Sequence, residues 1–248
     1  MEHDAFLKIL RDELLFEFAR KDRSGIYSVT SRDLAYNSNR IEGSTLTPDQ
    51  TASLFDTGCL PSSTDIYRAK DVEEMQGHFM MFNHMLKTLD MPLSEELIKR
   101  FHYELKSGVF EDRANGYNIG EYKSRPNIAG TMATSLPANV HSDMEALLDW
   151  YSGESKTLLT LTVFHARYEK IHPFQDGNGR TGRLILFREA LNNNIVPIII
   201  KDRNRIRYIE GIREYSEKQT VNGLYALFAE EQSVYQKTAE FFLGESID

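Results

Sequence analysis

The sequence IHPFQDGNGRTGR, from Ile171 to Arg183, brings together an imidazole, a carboxylate, three glycines and two guanidinium groups within thirteen residues. Pro173 disfavours the α conformation at His172, so the apolar segment before it should form a helix that ends there. Helical spacing of apolar residues resumes after Gly179, with Leu184, Ile185, Phe187 and Leu191. The stretch therefore predicts two helices joined by a glycine-rich loop.

Helical periodicity also dominates the rest of the chain. A long amphipathic helix is predicted over 65–89, and Ser94 can cap the helix that follows it. Further helices are expected at 144–151, 155–171, 204–217 and 222–242. Prolines and glycines interrupt the segment SRPNIAGTMATSLPAN at 124–139, which indicates a short hairpin or flap. These patterns predict a mostly α-helical fold.

The glycine-rich loop has the chemistry of an anion site. It precedes a helix N-terminus, where backbone N–H groups lack intrahelical partners and point outward. The backbone of Gly177, Asn178 and Gly179 can therefore cradle an anion, and Arg180 and Arg183, three residues apart, can both face it. Two guanidinium groups beside such a turn indicate a polyphosphate. The alternative is a tight helix-to-helix turn with solvated arginines.

Two side chains of the loop add reactive chemistry. Asp176 offers a hard oxygen ligand beside the phosphate site, as Mg²⁺ prefers, and His172 is the only base of the loop that titrates near neutral pH. Zinc is a poor fit, because the other six histidines show no tight ligand pairing and Cys59 is the only cysteine. The loop also lacks the P-loop pattern. A nucleotide phosphate site with a base beside it remains.

The segment HPFQDGNGRTGR resembles the signature of the Fic (filamentation induced by cAMP) family, H-x-F-x-[DE]-G-N-G-R-x-x-R, at every specified position. The surrounding helices and the flap extend the resemblance over roughly 65–228. The resemblance implies an all-α, Fic-fold helical bundle with a short β-hairpin flap. It also implies a protein adenylyltransferase that moves AMP from ATP to a Ser, Thr or Tyr hydroxyl of a target protein or of itself, with release of pyrophosphate.

Carried over residue by residue, the resemblance makes His172 the base and Asp176 the ligand of a Mg²⁺ or Mn²⁺ ion that bridges the α- and β-phosphates. The backbone of 177–179 would form the anion hole, Arg180 and Arg183 would hold the β- and γ-phosphates, and Phe174 would anchor the loop in the core. Related Doc kinases carry lysine at the position of Gly179. The glycine therefore implies AMP transfer rather than phosphorylation.

The resemblance also assigns the flap and the nucleobase pocket. The hairpin at 127–136 corresponds to the flap that docks the target, since a free strand edge can pair with an extended peptide. Tyr208 lies in the region that should form the adenine pocket. Ser216 stands near where some relatives have asparagine, which leaves the base preference open.

A second motif, SNRIEG from Ser38 to Gly43, lies in a predicted short helix with Ser31 as its N-cap and Gly43 at its C-terminal stop. Ser38 and Glu42 are four residues apart and so share a face. An acid in the last turn is disfavoured by the helix dipole, which hints at function, although an exposed glutamate at a helix end is common.

SNRIEG resembles the Fic inhibitory motif [ST]-x-x-x-E-[GN], placed before the core domain. The resemblance implies that Glu42 pairs with Arg183 and occupies the space of the γ-phosphate. In some relatives the same glutamate positions a water that removes AMP from the modified target, so de-AMPylation stays open. We expect N-terminal helices with the inhibitory helix at 1–60, and the Fic core domain with C-terminal helices at 61–248.

Composition narrows the class of protein. A formal charge of -8 argues against a generic nucleic-acid binder, and the apolar run IVPIII is too short to span a bilayer. The acidic start MEHDAF does not have the pattern of a signal peptide, and Cys59 should be a buried or inert thiol. We expect a cytoplasmic protein that binds ATP and a target protein, with no nucleic acid or membrane partner, and leave homo-oligomer formation open.

Three alternative functions remain from the sequence. The chain could use another donor, such as UTP or a phosphocholine nucleotide, or act chiefly as the de-AMPylating hydrolase. From a different class, it could be a non-catalytic module in which the loop holds an anion and the flap captures peptides. A binding scaffold needs neither a base nor a metal ligand, which weighs against the last alternative.

Overall fold

The computed structural model describes residues 3–62, 66–130 and 132–244. Within these residues the chain forms eleven α-helices, two short 3-10 turns and one antiparallel hairpin, which confirms the predicted all-α fold with a short flap. The helices are α1 (His3–Arg20), α2 (Ile26–Ile41), α3 (Pro48–Thr57), α4 (Ala69–Lys87), α5 (Glu95–Lys106), α6 (Phe110–Ala114), α7 (Val140–Gly153), α8 (Leu158–Ile171), α9 (Asn178–Asn192), α10 (Arg205–Lys218) and α11 (Asn222–Leu243), and the strands are β1 (Ile128–Ala129) and β2 (Met132–Ala133).

Side-chain caps fix several of the helix starts. Thr47 and Gln50 form a reciprocal capping box at α3, and Ser94 accepts a hydrogen bond from the Leu97 N–H at α5, as its sequence predicted. Thr157 caps α8 in the same way through the Thr160 N–H. The long helix predicted over 65–89 is observed as α4, and Asp65 lies outside the described residues.

The start predicted for the inhibitory helix was wrong. Ser31 is not an N-cap, because α2 already begins at Ile26 and Ser31 is buried inside it. The cap comes from another helix: the Glu17 carboxylate of α1 accepts a 2.8 Å hydrogen bond from the Tyr27 N–H. A cap supplied from ten residues upstream leaves no local signal in the sequence of α2.

The core encloses α9. Every residue of α9 from Asn178 to Leu191 is buried, and the helix packs against α2, α4, α5 and α8. The α4 and α5 axes approach closely at Gly77, where a Cβ would lie 2.0 Å from the Leu105 carbonyl oxygen. A buried α9 places its N-terminus, and the loop that precedes it, at the meeting point of several helices.

One further prediction concerns the surface of the protein. Cys59 follows the end of α3 and is exposed, so the buried alternative of the expected buried or inert thiol is wrong. None of the helices in the described part of the chain is both long enough and apolar enough to cross a membrane.

Candidate active site

The loop between α8 and α9 is held by side chains of its own sequence. His172 ends α8 in the left-handed conformation, with φ 54° and ψ 61°. Such a backbone costs a non-glycine residue about 1–3 kcal/mol, so the surroundings must hold it. The Asn178 side chain contributes by accepting from the Phe174 N–H at 2.7 Å and donating to the Phe174 carbonyl at 2.8 Å.

Phe174 is fully buried and stacks on the imidazole of His102 from α5, with ring centroids 3.9 Å apart and planes 3° from parallel. Burial lowers the pKa of His102 to about 3, so the ring is neutral. Its Nδ1 accepts from the Gly120 N–H at 2.9 Å, which leaves Nε2–H to donate to the Asp176 carbonyl at 3.0 Å. The loop is therefore fixed to α5 by a stacked ring and a hydrogen bond.

A cavity of about 400 Å³ opens above the loop. Its lining brings together His172 and Asp176 from the loop, residues 177–179 at the start of α9, and Glu42 and Arg183. A second cavity of about 600 Å³ adjoins it beyond Glu42 and Asp176 and is lined mainly by charged side chains, among them Arg68, Lys70 and Glu74. The 400 Å³ cavity is the candidate site, because only this one contains the imidazole and the helix N-terminus.

His172 is largely buried, with 18% of its side chain exposed. Burial, together with the nearby Lys123 ammonium, lowers its pKa to about 4, while Glu42, the Glu169 carbonyl and Asp176 act in the opposite direction. The imidazole is therefore neutral at physiological pH and able to accept a proton. The Glu169 carboxylate lies 3.9 Å from its Nδ1, and burial raises the pKa of that carboxyl to about 7.

Asp176 belongs to a buried cluster of charges. The Lys106 ammonium contacts Asp176 at 2.8 Å, Asp112 at 2.6 Å and Glu74 at 2.5 Å. Burial would raise the pKa of Asp176, but Arg180, Lys106 and Lys70 hold it well below its usual range. The carboxylate is therefore ionised.

These contacts decide which residues fit a divalent cation. Oxygens of Glu74, Asp112 and Asp176 lie within 4.8 Å of one another, yet Lys106 fills the space between them. Asp176 is 34% exposed and lines both cavities, whereas the other two carboxylates are buried. A single carboxylate that completes its metal shell with phosphate oxygens and water is a usual arrangement for Mg²⁺, so Asp176 fits that role.

Arg180 is buried and paired on the inner side of the loop. Its guanidinium contacts Glu74 at 2.5 Å, Asp176 at 3.3 Å and the Asn39 side-chain oxygen at 3.3 Å. Glu74 thus bridges Lys106 and Arg180. The arginine lies beside the 600 Å³ cavity.

Arg183 is held mainly by α2 and its C-terminal end, and its Nη1 also donates to the Tyr208 hydroxyl of α10 at 3.5 Å. Its Nε donates to the Ser38 hydroxyl and Nη2 to the Ser38 carbonyl, both at 2.9 Å, and Nη2 contacts Glu42 Oε1 at 2.8 Å. Although burial raises the pKa of Glu42, Arg183 and Arg180 hold it below its ordinary value. Glu42 is the C-cap of α2, and the Gly43 that follows has φ 89°, as a helix stop predicts.

Glu42 reaches over the start of α9 because residue 179 has no side chain. A Cβ at Gly179 would lie 2.3 Å from Glu42 Oε1. The first N–H groups of a helix have no intrahelical partner and attract anions. The carboxylate therefore lies at the place where this helix end would hold an anionic ligand.

The far wall of the 400 Å³ cavity comes from α10. Tyr208 is buried there, with its hydroxyl 2.9 Å from His165 Nε2 and its ring 5.5 Å from the Arg183 guanidinium carbon. Ser216 is not among the described residues that line the cavity. The residues of α10 that line it are Arg205, Tyr208, Ile209, Ile212 and Arg213.

The flap lies beside the same cavity. Strands β1 and β2 pair antiparallel within the segment predicted at 127–136, and Thr131 lies outside the described residues. Ile128 is 71% exposed, and Ala129 and Met132 line the cavity. Asn127 ties the base of the flap to the loop through a 2.9 Å hydrogen bond to the Phe174 carbonyl.

Of the predicted residues, His172, Asp176, 177–179, Arg183, Glu42 and Tyr208 line the 400 Å³ cavity. Arg180 lines the adjoining 600 Å³ cavity, Phe174 is buried beneath the loop, and Ser38 is buried behind the cavity against Arg183. Sequence reasoning missed the side chains that support them, namely Glu74, His102, Lys106, Lys123 and Glu169. Of these, Glu169 was closest to detection, because it lies three residues before His172 on a helix and so shares its face. The others come from α4, from α5 and from the segment that leads into the flap, and no local sequence pattern links them to the loop.

Comparisons with known proteins agree with this arrangement. A model of the Fic/DOC family matches residues 92–189. A protein adenylyltransferase Fic from Nematostella vectensis is 25% identical over 183 residues, which are 72% of this chain and 42% of that protein. A probable protein adenylyltransferase from Aquifex aeolicus is 33% identical over 115 residues, 44% of this chain and 35% of that protein. The chain thus spans less than half the length of these curated relatives.

The fold has a counterpart among solved structures. A Fic domain containing signaling protein from Bacteroides thetaiotaomicron superposes with a TM-score of 0.73 at 24% identity, over 100% of this chain and 99% of that one. The two proteins share the fold. The family model covers the loop together with α5 to α8 and most of α9, so a Fic/DOC domain is recognised in this segment of the chain.

Proposed function

We propose that this protein transfers AMP from ATP to a Ser, Thr or Tyr hydroxyl of a target protein, and that Glu42 restrains it. The observation that carries the proposal is the convergence in one cavity of His172, Asp176, the N-terminus of α9 and Arg183. The names of the curated relatives, protein adenylyltransferases, support the same activity. Positioning and charge stabilisation supply most of the catalysis in such transfers.

In the proposed reaction, the hydroxyl oxygen of the target attacks the α-phosphorus of ATP. The bond from that phosphorus to the bridging oxygen breaks, pyrophosphate leaves with its electron pair, and His172 accepts the hydroxyl proton. The neutral imidazole suits this task, and the negative charge of bound nucleotide would raise its pKa toward neutrality.

The remaining residues would hold the donor. The N-terminus of α9 at 177–179 would bind the phosphates with its backbone N–H groups, and Arg180 and Arg183 would neutralise the β- and γ-phosphates. Asp176 would hold Mg²⁺ or Mn²⁺, which when bound neutralises charge on the phosphates. Tyr208 and the apolar side chains of α10 would receive the base.

Glu42 supports a self-restrained enzyme. Its carboxylate pairs with Arg183 at 2.8 Å and lies over the start of α9, where the terminal phosphate of the donor would bind. Two anions cannot share that position, so ATP would bind productively only after Glu42 moves away.

We further propose that a target peptide docks along the flap at 127–136. Its exposed Ile128 and its position beside the cavity support this role. The division into N-terminal helices at 1–60 and a core at 61–248 remains a proposal, supported by the family match at 92–189 lying wholly within the second segment. A cytoplasmic location is also proposed, since one cysteine and no disulfide suit a reducing compartment.

Intact-mass spectrometry tests the function. Glu42→Gly incubated with ATP and Mg²⁺ is expected to gain the mass of one or more adenylyl groups, and Glu42→Gly with His172→Ala is expected to gain none. Addition of a bare phosphoryl group would contradict adenylyl transfer. No mass change in any variant, while α9 still binds ATP, would favour a binding module or a hydrolase.

A further inference from the structure

Lys123 lies in the segment that leads into the flap and is almost fully buried, at 3% exposure. Its ammonium donates to Asn127 Oδ1 at 2.7 Å, to Thr134 Oγ1 at 2.9 Å and to the Ile171 carbonyl at 3.3 Å. The first two acceptors stand at the two ends of the hairpin. The third is the carbonyl of the residue before His172.

The backbone of Lys123 acts on the other side of His172. Its N–H donates to the Pro173 carbonyl at 2.9 Å. One residue thus holds the carbonyls that precede and follow His172, whose left-handed backbone needs such support. The flap adds a further bond, from the Ser135 N–H to the Ile171 carbonyl at 3.3 Å.

The charge on Lys123 has no evident structural purpose. All three acceptors are neutral, and burial lowers the pKa of the ammonium to about 8. A buried cation without a carboxylate partner opposes folding, so an apolar side chain of similar length would be the more stable choice. What the ammonium offers is three donors that can bridge the flap and the loop at once.

We propose that Lys123 is a positioning residue that couples the flap to His172, so that the arrangement of the flap sets where the imidazole lies. The inference rests on the proposed transfer function, which gives His172 its task as a base. A peptide that docks on the hairpin would tighten Asn127 and Thr134 around the ammonium, and through it the backbone at 171–173. Docking of the target and placement of the base would then occur together.

The charge of Lys123 acts on His172 directly as well, since it is one cause of the lowered pKa of the imidazole. The other groups that face His172 are Glu42 from the end of α2, Asp176 from the loop and Glu169 from α8. Removal of the ammonium leaves these three in place.

The test compares Lys123→Met with Lys156→Met. The control lysine also donates to backbone carbonyls, those of Tyr151 and Glu154, but lies after α7 and away from the cavity. Two measurements are made without nucleotide: amide hydrogen exchange of Ser135 and the flap strands, and an NMR titration of the His172 ring. In the Glu42→Gly background, kcat for transfer and the Kd for Mg²⁺·ATP are measured too.

With Lys123→Met we expect faster exchange at Ser135 and a His172 pKa above that of the wild type. We also expect kcat to fall about ten- to a hundredfold with the ATP Kd almost unchanged, since misplacement of a catalytic group affects the chemical step. Lys156→Met should change none of these. Thr134→Val keeps the shape but removes one acceptor of the ammonium, together with the bond that the Thr134 hydroxyl donates to Asn127 at 2.8 Å. It should shift exchange and kcat in the same direction by less.

Unchanged exchange at Ser135 and an unchanged titration of His172 in both Lys123→Met and Thr134→Val would overturn the inference, as would an equal loss in ATP affinity and kcat. Changes in exchange and titration without transfer in any variant would uphold the coupling and reject the transfer function. The two failures are therefore distinguishable.

Discussion

Glu42 Oε1 lies 2.8 Å from Arg183 Nη2, although the two residues are 141 positions apart in the chain. Arg183 also makes two bonds to Ser38, one turn earlier in α2. The C-terminal part of α2 therefore contacts Arg183 through both Ser38 and Glu42, and it places the Glu42 carboxylate over the start of α9. Release of this contact is the central event in our account.

Removing the Glu42 carboxylate should strengthen ATP binding. For Glu42→Gly we expect the Kd for Mg²⁺·ATP to fall about ten- to a hundredfold, because about 1.4–2.8 kcal/mol of competition is lost. Isothermal titration calorimetry measures it directly. Ser38→Ala, which loosens Arg183 but keeps the carboxylate, should give a smaller gain. An equal Kd for wild type and Glu42→Gly would show that the pair does not compete with nucleotide.

Arg183 should be needed once Glu42 is gone. In the Glu42→Gly background, Arg183→Met is expected to lower kcat/KM for transfer about tenfold or more, since it removes a charge-assisted contact to phosphate. Arg207→Met is the matched control, because Arg207 also lies in a carboxylate pair but on the exposed face of α10. If the two substitutions have equal effects, Arg183 does not bind the donor.

The imidazole of His172 should titrate near pH 4 in the nucleotide-free protein, well below the ordinary pKa of histidine. NMR of selectively labelled histidine can follow it, with His172→Ala to assign the signal. A bound nucleotide should move the pKa upward, because phosphate charge favours the imidazolium. A free-protein pKa near 6.5 would mean that the ring is more solvated than the structure shows.

Buried histidines should make the fold sensitive to acid. The pKa values of His78, His102 and His165 are each lowered to about 3 by burial, and that of His172 to about 4. As pH falls from about 6.5 toward 4, the unfolded chain binds protons that the folded chain does not, so stability falls, by up to about 1.4 kcal/mol per pH unit for each group.

Glu169 has the opposite effect on the stability of the fold, over an overlapping range of pH. Its pKa is raised to about 7, so the folded state holds a proton that the unfolded state releases above about pH 4.5, and this term favours folding as pH falls. Urea denaturation at pH 7 and pH 5 should therefore show a net loss of stability at pH 5, because the four buried histidines together outweigh Glu169. His78→Leu should reduce that loss, and an unchanged difference would contradict the assignment.

Lys106 should be essential to stability. Lys106→Met leaves Glu74, Asp112 and Asp176 crowded with one cation fewer, and we expect a loss of about 3–5 kcal/mol in the free energy of unfolding. Lys99→Met breaks a half-exposed pair with Glu121 and should cost about 1 kcal/mol or less. Added Mg²⁺ should restore part of the loss in Lys106→Met only. Equal melting of both variants would show that the cluster is not held by the ammonium.

Much of the fold could be predicted from local patterns. The end of α8 at His172 follows from Pro173, and the cap of α5 follows from Ser94, because each signal acts within a few residues. The start of α2 could not be predicted, since its cap is Glu17 of another helix. Local chemistry indicates where helices end only when the partner is local.

The residues of the candidate site divide in the same way, into those that local sequence reveals and those that only packing brings together. The loop residues share thirteen positions, so their association was visible in sequence, and Glu42 was reached through resemblance to an inhibitory motif. The acidic partner of Arg180 and the ammonium beside Asp176 come from α4 and α5, about 70 to 106 residues away. Only packing of α9 against those helices brings these charges together.

The most direct test of the central claim is transfer from ATP labelled at the α-phosphate or at the γ-phosphate, with Mg²⁺, into wild type, Glu42→Gly, and Glu42→Gly with His172→Ala. We expect α-label in Glu42→Gly, little in wild type and none in the double variant, with no γ-label in any of them. Entry of γ-label, or equal α-label in wild type and Glu42→Gly, would contradict the central claim.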